Sequence, residues 1–268
     1  MAQLERVPDG VDASVPSSAR VYDYLLGGKD NYAVDRAVAD RLLALAPDTR
    51  AVARANRAFL ARAMRFLNDE GIRQFVDLGT GIPTSPSVHE LAWEADPSAR
   101  VVYVDNDPLV KAHNDALLAT DPGVTTILAD IRRPDLILAD PALRATVDLS
   151  QPVAVLFLTV LHFVTDEEGA HDIVARWRGQ MVPGSYVVIS NMAAESDPEA
   201  VRRLHAATAN TPAHSTFRPH DELARFFDGF ELVEPGLVPV QRWRPDMESV
   251  PTRMVVEGGV GRTPQRVR

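Results

Sequence analysis

The chain of 268 residues contains no cysteine. That absence excludes disulfides, thiolate metal sites and a cysteine nucleophile together. Lysine is scarce as well: of 28 basic residues only Lys29 and Lys111 are lysines, and the rest are arginine. There is no surplus of positive charge. The formal net charge is −9 and the pI about 5.3, which argues against nucleic acid or an anionic membrane surface as the main partner. The longest near-continuous apolar run, Val153 to Leu161, falls far short of the ~20 residues a membrane-spanning helix needs. The first residues, Met1-Ala2-Gln3-Leu4-Glu5-Arg6, lack the apolar centre of a secretory signal. The histidines show no recurrent ligand spacing, so no metal site is expected. These absences predict a soluble, cytoplasmic protein of one large α/β domain with added elements, or two small domains. Its 46% hydrophobic residues suffice for a full core.

Residues 1–17 are polar and carry Pro and Ser, as a loose tail would. Ala19 to Leu26 reads as a short helix stopped by Gly27-Gly28. Tyr32 to Leu45 places Val34, Val38, Leu42 and Leu45 at helical spacing and stops at Pro47. Asp48 or Thr49 caps a longer helix through Leu67, with Ala55, Phe59, Ala63 and Phe66 on one face and Gly71 as its stop. Residues 18–71 are therefore predicted to form a helical cap or lid, and 72–268 the ligand-binding domain. From Gln74 strand and helix alternate, the pattern of a mostly parallel sheet. Strands are expected at 74–78, 100–104, 125–129, 153–159 and 185–190, then at Phe230 to Val233 and Arg253 to Glu257. Ser85 or Ser87 caps the helix after the first strand, and Ser87-x-x-Glu90 reads as a capping box. Further helices are expected at 166–181, 197–209 and 220–228. Gly258-Gly259-Val260-Gly261 reads as a breaker-rich end.

The chemistry concentrates in Gln74-Phe75-Val76-Asp77-Leu78-Gly79-Thr80-Gly81. An apolar run ends in an aspartate and two glycines, and the next run, Val101-Val102-Tyr103-Val104, closes on Asp105. This is the layout of a doubly wound nucleotide-binding fold. Asp77 narrows the choice of ligand. A carboxylate directly before the turn would repel a pyrophosphate, which needs bare backbone N–H groups, whereas S-adenosylmethionine brings a cationic sulfonium and ammonium and no phosphate. The third glycine of the dinucleotide pattern is absent, since the loop continues Ile82-Pro83-Thr84. The residues point to a methyl-donor site.

From about Ile72 to Glu257 the sequence resembles the class I S-adenosylmethionine-dependent methyltransferases, through Asp77-x-Gly79-x-Gly81, Asp105, Asp130-Ile131 and the Pro183-Gly184 turn. Over nearly the whole chain it resembles an actinobacterial S-adenosyl methyltransferase family long catalogued as a domain of unknown function. That likeness rests on Tyr22-Asp23-Tyr24-Leu25-Leu26-Gly27-Gly28-Lys29-Asp30-Asn31-Tyr32, Arg54-x-Asn56-Arg57-x-Phe59, Val104-Asp105-Asn106-Asp107-Pro108 and Leu161-His162-Phe163. The resemblance implies a Rossmann-like sheet of seven strands, the last antiparallel, with helices on both faces. It further implies that Gly79, Thr80 and Gly81 approach the methionine and ribose parts of the cofactor. Asp105, with Asn106 beside it, would hold the ribose hydroxyls, Asp130 the adenine amino group, and Ile131 would pack on the ring.

Two further sites are expected. Three of the five tyrosines, Tyr22, Tyr24 and Tyr32, surround Gly27-Gly28, as in a lid that shields a reaction from water. Gly28, Lys29 and Asn31 could meet the donor's carboxylate, with Tyr24 and Tyr32 on the acceptor; a plain helix–turn–helix is the alternative. His162 and Phe163 follow the central strand, where methyltransferases place acceptor contacts. His162 could serve as general base, its ordinary pKa of about 6.5 suiting that role, or simply line the pocket. Arg54 and Arg57 read as helix-surface charges that the resemblance promotes to candidate ligands. The reading is methyl transfer from S-adenosylmethionine to a small molecule. A non-catalytic S-adenosylmethionine-binding regulatory module and an NAD(P)-dependent oxidoreductase stand as alternatives.

Overall fold

The computed structural model describes residues 12–118, 123–208, 214–247 and 250–265, so most of the expected tail lies outside the described residues. Helix-spaced apolar residues build α1 (Ser18–Leu26), α2 (Ala33–Leu45) and α3 (Thr49–Asp69) before any strand. Strand and helix then alternate through β1 (Gln74–Leu78), α4 (Val88–Trp93), β2 (Arg100–Asp105), α5 (Pro108–Leu118) and β3 (Val124–Leu128). They continue through α6 (Pro134–Ala139), α7 (Pro141–Thr146), β4 (Ala154–Leu158), α8 (Ala170–Arg178), β5 (Tyr186–Met192) and α9 (Pro198–Thr208). The last elements are α10 (His220–Ala224), β6 (Glu231–Leu232), β7 (Val238–Pro239) and β8 (Val256–Arg262).

The strands lie in the order β3-β2-β1-β4-β5-β8-β6, with β7 also paired to β8. Neighbours among β1 to β5 are parallel, and β8 runs antiparallel to β5. The sheet has helices on both faces, so its central strands are buried along nearly their whole length, with successive side chains entering opposite cores. Phe75, Val101 and Leu156 point into one core cluster. Val76, Val102 and Phe157 point into the other. Chain order reverses between β1 and β4, and there the connections leave on opposite faces and open a crevice at the strands' carboxyl ends.

Three features differ from the expectation. The last strand runs Val256–Arg262, through the segment read as breaker-rich. Its glycines are there for room: a Cβ on Gly258 would lie 2.8 Å from Val240 and 2.9 Å from Phe59, and one on Gly261 2.9 Å from Phe230. Two short helices, α6 and α7, occupy a stretch where none was expected, each opened by a proline whose missing N–H the first turn does not need; Asp140 caps the second by accepting from the Ala142 N–H at 2.7 Å. Finally, the three helices of 18–71 do not pack alike, since α3 is rooted in the main core. Phe59, Ala63, Met64 and Leu67 are fully buried in the main core, while α1 and α2 share a small separate cluster of Val21, Leu25 and Ala39 with Ala53 of α3. The capping box of Ser87 and Glu90 is present as read from the sequence.

Candidate functional site

The loop leaving β1 turns on glycines at positive φ, +73° at Gly79 and +67° at Gly81, where a side chain is strained. Gly79 also faces Val160, whose Cγ2 would stand 2.2 Å from an added Cβ. Asp105 at the end of β2 ties this loop in place. One carboxylate oxygen accepts the Gly81 N–H at 2.9 Å and the other the Asp107 N–H at 2.9 Å. Thr80 turns its hydroxyl back onto the Asp77 carbonyl at 3.1 Å.

Asp77, Gly79, Thr80, Gly81, Asp105, Asn106, Asp130 and Ile131 all line one cavity of about 740 Å³. The strand ends thus bring together every β1–β3 residue expected at the cofactor. Burial pushes the Asp77 carboxyl up to about 7, against the pull of the Arg57 guanidinium and with a further push from Asp105. Burial also raises Asp105, while the N–H groups of Gly81 and Asp107 oppose it. At Asp130 burial works upward but is outweighed by hydrogen bonds from Arg132, which hold the carboxyl below its usual range.

This donor set can be tested against the ligand it implies. Five carboxylates line the cavity, those of Asp12, Asp77, Asp105, Asp107 and Asp130, and the arginines beside them are engaged. Arg57 donates to the carbonyls of Thr84 at 2.8 Å and Pro86 at 2.5 Å, and Arg132 pairs with Asp130 and Glu168. Such a lining suits a ligand with positive charge and hydroxyl groups and opposes a phosphate. S-adenosylmethionine fits.

His162 and Phe163 also line the cavity, on a 3₁₀ turn (Leu161–Phe163) just past β4. The near-neutral general base expected there is not what the structure builds. Burial, and secondarily the charge of Arg218, push the His162 pKa down to about 3, so the ring stays neutral. Its Nδ1 is buried with no hydrogen-bond partner.

The lid residues require a correction. Gly28, Lys29, Asn31, Tyr24 and Tyr32 do not line the cavity. Lys29 is exposed. Asn31 donates to the Asp23 carboxylate at 2.8 Å and the Gly28 carbonyl at 3.1 Å, closing the turn between α1 and α2. Tyr24 reaches Asp40 at 3.1 Å and lies under the Arg50 guanidinium. Tyr32 caps α2 and lies under that of Arg20. The helical hairpin spends these groups on its own closure, leaving Tyr22 as the member of the three that faces inward.

Tyr22 belongs to a polar cluster that the sequence reading did not assemble. Asn56 of α3 donates to Thr159 Oγ1 at 3.1 Å and to the Tyr22 hydroxyl at 3.3 Å, and accepts from Ser190 Oγ at 2.7 Å. Tyr22 itself donates to the Ala53 carbonyl at 3.1 Å. Thr159 stands at φ +49°, costly for a β-branched residue and sustained only where surroundings hold it. The motif containing Asn56 and Arg57 was the available signal, but helical spacing alone did not say which face turned inward. Arg54, by contrast, is exposed. Among the described residues no group of three or more His, Cys, Asp or Glu is placed to hold a metal, and no helix is long and apolar enough to cross a membrane.

A sheet of this order, with its last strand antiparallel and acids at the ends of three successive strands, is that of the class I methyltransferases. The sequence matches the S-adenosyl methyltransferase family over residues 5–264, and the chain belongs to that family. A DUF574 family protein from Streptomyces avermitilis is 42% identical, with a TM-score of 0.91 over 94% of this chain and 99% of that one. A candidate methyltransferase from Thermobifida fusca is 40% identical, with a TM-score of 0.91 over 96% of this chain and 98% of that one. The N-methyltransferase NodS from Bradyrhizobium japonicum, at 11% identity and a TM-score of 0.50 over 81% of this chain and 99% of that one, shares the fold alone. No curated protein matches the sequence. The protein is an S-adenosylmethionine-dependent methyltransferase, which decides against the oxidoreductase alternative.

Proposed function

We propose that the enzyme methylates a small molecule enclosed in the shared cavity, with Asp77, Gly79, Thr80, Gly81, Asp105, Asn106, Asp130 and Ile131 holding the donor. Bound S-adenosylmethionine would supply an electrophilic methyl group on a cationic sulfur. The observation that carries this reading is the gathering of Asp77, Asp105 and Asp130 on one pocket whose nearby arginines are already engaged. Asp105 holds the donor's hydroxyl groups while its two backbone partners keep the glycine loop in register. Asp77 opposes the donor's positive charge from a buried position, where Coulombic attraction is stronger than in water. Neutral His162 and Phe163 contact the acceptor, and catalysis proceeds by positioning and water exclusion rather than through a strong base. The enclosing α1 and α2 favour an acceptor of limited size over a polymer such as nucleic acid, consistent with action in the cytoplasm.

Calorimetric titration tests the donor assignment. S-adenosylmethionine should bind at micromolar concentration, NADH should not, and Asp105→Ala should weaken donor binding at least tenfold. An Asp105→Ala protein that is folded and binds the donor as tightly as the parent would overturn the assignment.

A further inference from the structure

Just past β4 the chain passes through an unusual backbone state. Thr159 stands at φ +49°, a left-handed conformation that a β-branched residue rarely adopts. Three hydrogen bonds from two other elements hold it there. Its N–H donates to the Ser190 carbonyl at 2.9 Å and to Ser190 Oγ at 3.1 Å, both on β5. Its Oγ1 accepts from the Asn56 amide of α3 at 3.1 Å. Asn56 Oδ1 in turn accepts from Ser190 Oγ at 2.7 Å, which closes a ring of three residues.

Asn56 is buried, and its side chain is fully used. The Tyr22 hydroxyl donates to the Ala53 carbonyl, so it takes the second amide hydrogen as an acceptor at 3.3 Å. One orientation of the amide therefore satisfies all three partners. The residue is also firmly placed. It lies three positions before Phe59, on the helix face whose Phe59 and Ala63 are fully buried in the main core.

The dihedrals of Thr159 decide where Val160 goes. Val160 packs directly on Gly79, since a Cβ added at that glycine would collide with the valine side chain. On its other flank the glycine loop is braced by β2. The Gly79 N–H donates to the Val104 carbonyl at 2.8 Å, and Asp105 accepts the Gly81 N–H at 2.9 Å. Asn56, Thr159, Val160 and Gly79 all line the cavity.

We propose that Asn56 is a positioning residue for the methyl donor. It holds Thr159 left-handed, which seats Val160 on Gly79 and keeps the glycine loop in its donor-binding shape. Asn56 acts through Thr159 and not by touching the donor, because its own polar atoms are spent on protein partners. This rests on the donor assignment above and adds to it a residue from the helices that precede the sheet.

The test titrates S-adenosylhomocysteine calorimetrically into the full chain and its variants, with the melting temperature of each apoprotein measured alongside. Asn56→Leu should bind at least fivefold more weakly than the parent. Adding Thr159→Gly to that variant should recover most of the loss, because glycine takes a positive φ with no partner to hold it. A folded Asn56→Leu that melts lower but binds as tightly as the parent would show a purely structural role and overturn the proposal. So would a loss that persists in the double variant, as direct contact with the ligand would give. Where Asn56→Leu does not fold, single variants at 159 decide the matter. Thr159→Ala loses the Asn56 hydrogen bond yet keeps the penalty of a Cβ at positive φ, whereas Thr159→Gly loses both. The glycine variant should therefore bind at least threefold tighter than the alanine variant, and equal or reversed affinities would refute the mechanism. Failure of the parent itself to bind S-adenosylhomocysteine would strike the donor assignment, an outcome distinct from any difference among variants.

Discussion

Asp77 carries the clearest pH signature of any single residue here. Burial pushes its carboxyl up to about 7 in the folded protein, from an ordinary value of 3.8. Between those values the folded state holds the proton and the unfolded chain does not. This group's contribution to stability is therefore fully present below about pH 4 and is lost as pH rises through about 7. A cationic donor prefers the ionised carboxylate, so donor affinity should climb from about pH 6 to 8, with proton release on binding below pH 7. Asp77→Asn should flatten that climb, weaken the donor at pH 8 by about tenfold, and raise the apoprotein's melting temperature at pH 8. Calorimetry in two buffers of different ionisation enthalpy reads the proton release directly; an unchanged slope in the variant would show that another group titrates. Asp77, Asp105 and Asp130 were legible in the sequence because each ends or follows an apolar run, and a strand end has one place to go in a parallel sheet. Tyr24, Tyr32 and Lys29 were misread because residues near a helical turn can face either way, and only the docking of α1 on α3 selected Tyr22.

At the scale of elements, β8 is held by what its glycines omit. Phe59 of α3 and Val240 press on Gly258, while Phe227 and Phe230 press on Gly261 from the other end of the strand. Gly258→Ala should destabilise the protein by about 1–3 kcal/mol, the usual penalty for overpacking a filled core. Urea unfolding measures this, and a midpoint equal to the parent's would mean the contact relaxes freely. Phe59→Ala, which empties the same contact and the edge-on packing against Trp243 at 5.4 Å, should cost about 3–5 kcal/mol. Local propensity alone reads Gly-Gly-Val-Gly as a break, because glycine weakens a strand unless close approach requires it. The closely approaching partner is Phe59, far away in sequence. The helices α6 and α7 were missed for a different reason: at six residues each they are too short to show a period.

For the molecule as a whole, the cavity closes only because helices that precede the sheet in sequence fold back over its carboxyl edge. Ser17 donates to Asp107 at 2.5 Å, and the buried Arg20–Asp35 pair at 3.1 Å joins α1 to α2. Both helices rest on the small cluster of Val21, Leu25, Ala39 and Ala53, whereas α3 is rooted in the main core. Regions with few buried apolar contacts open at lower free energy. Hydrogen exchange should therefore find α1 and α2 exchanging well ahead of α3 and β4, and S-adenosylhomocysteine should slow α1. Equal protection of all three helices, or no response of α1 to ligand, would remove the idea that this hairpin gates the pocket.

The sequence by itself determined the sheet's parallel core, the glycine turn and the acidic strand ends. These depend on residues close together in the chain, whose spacing dictates period, turn geometry and charge. Tertiary structure alone decided which tyrosine faces inward, that His162 is neutral, and that most of the pocket's charged side chains gather at the ends of β1 to β3. Each of those follows from burial by residues distant in sequence: desolvation shifts a pKa, and one helix docking on another chooses a face.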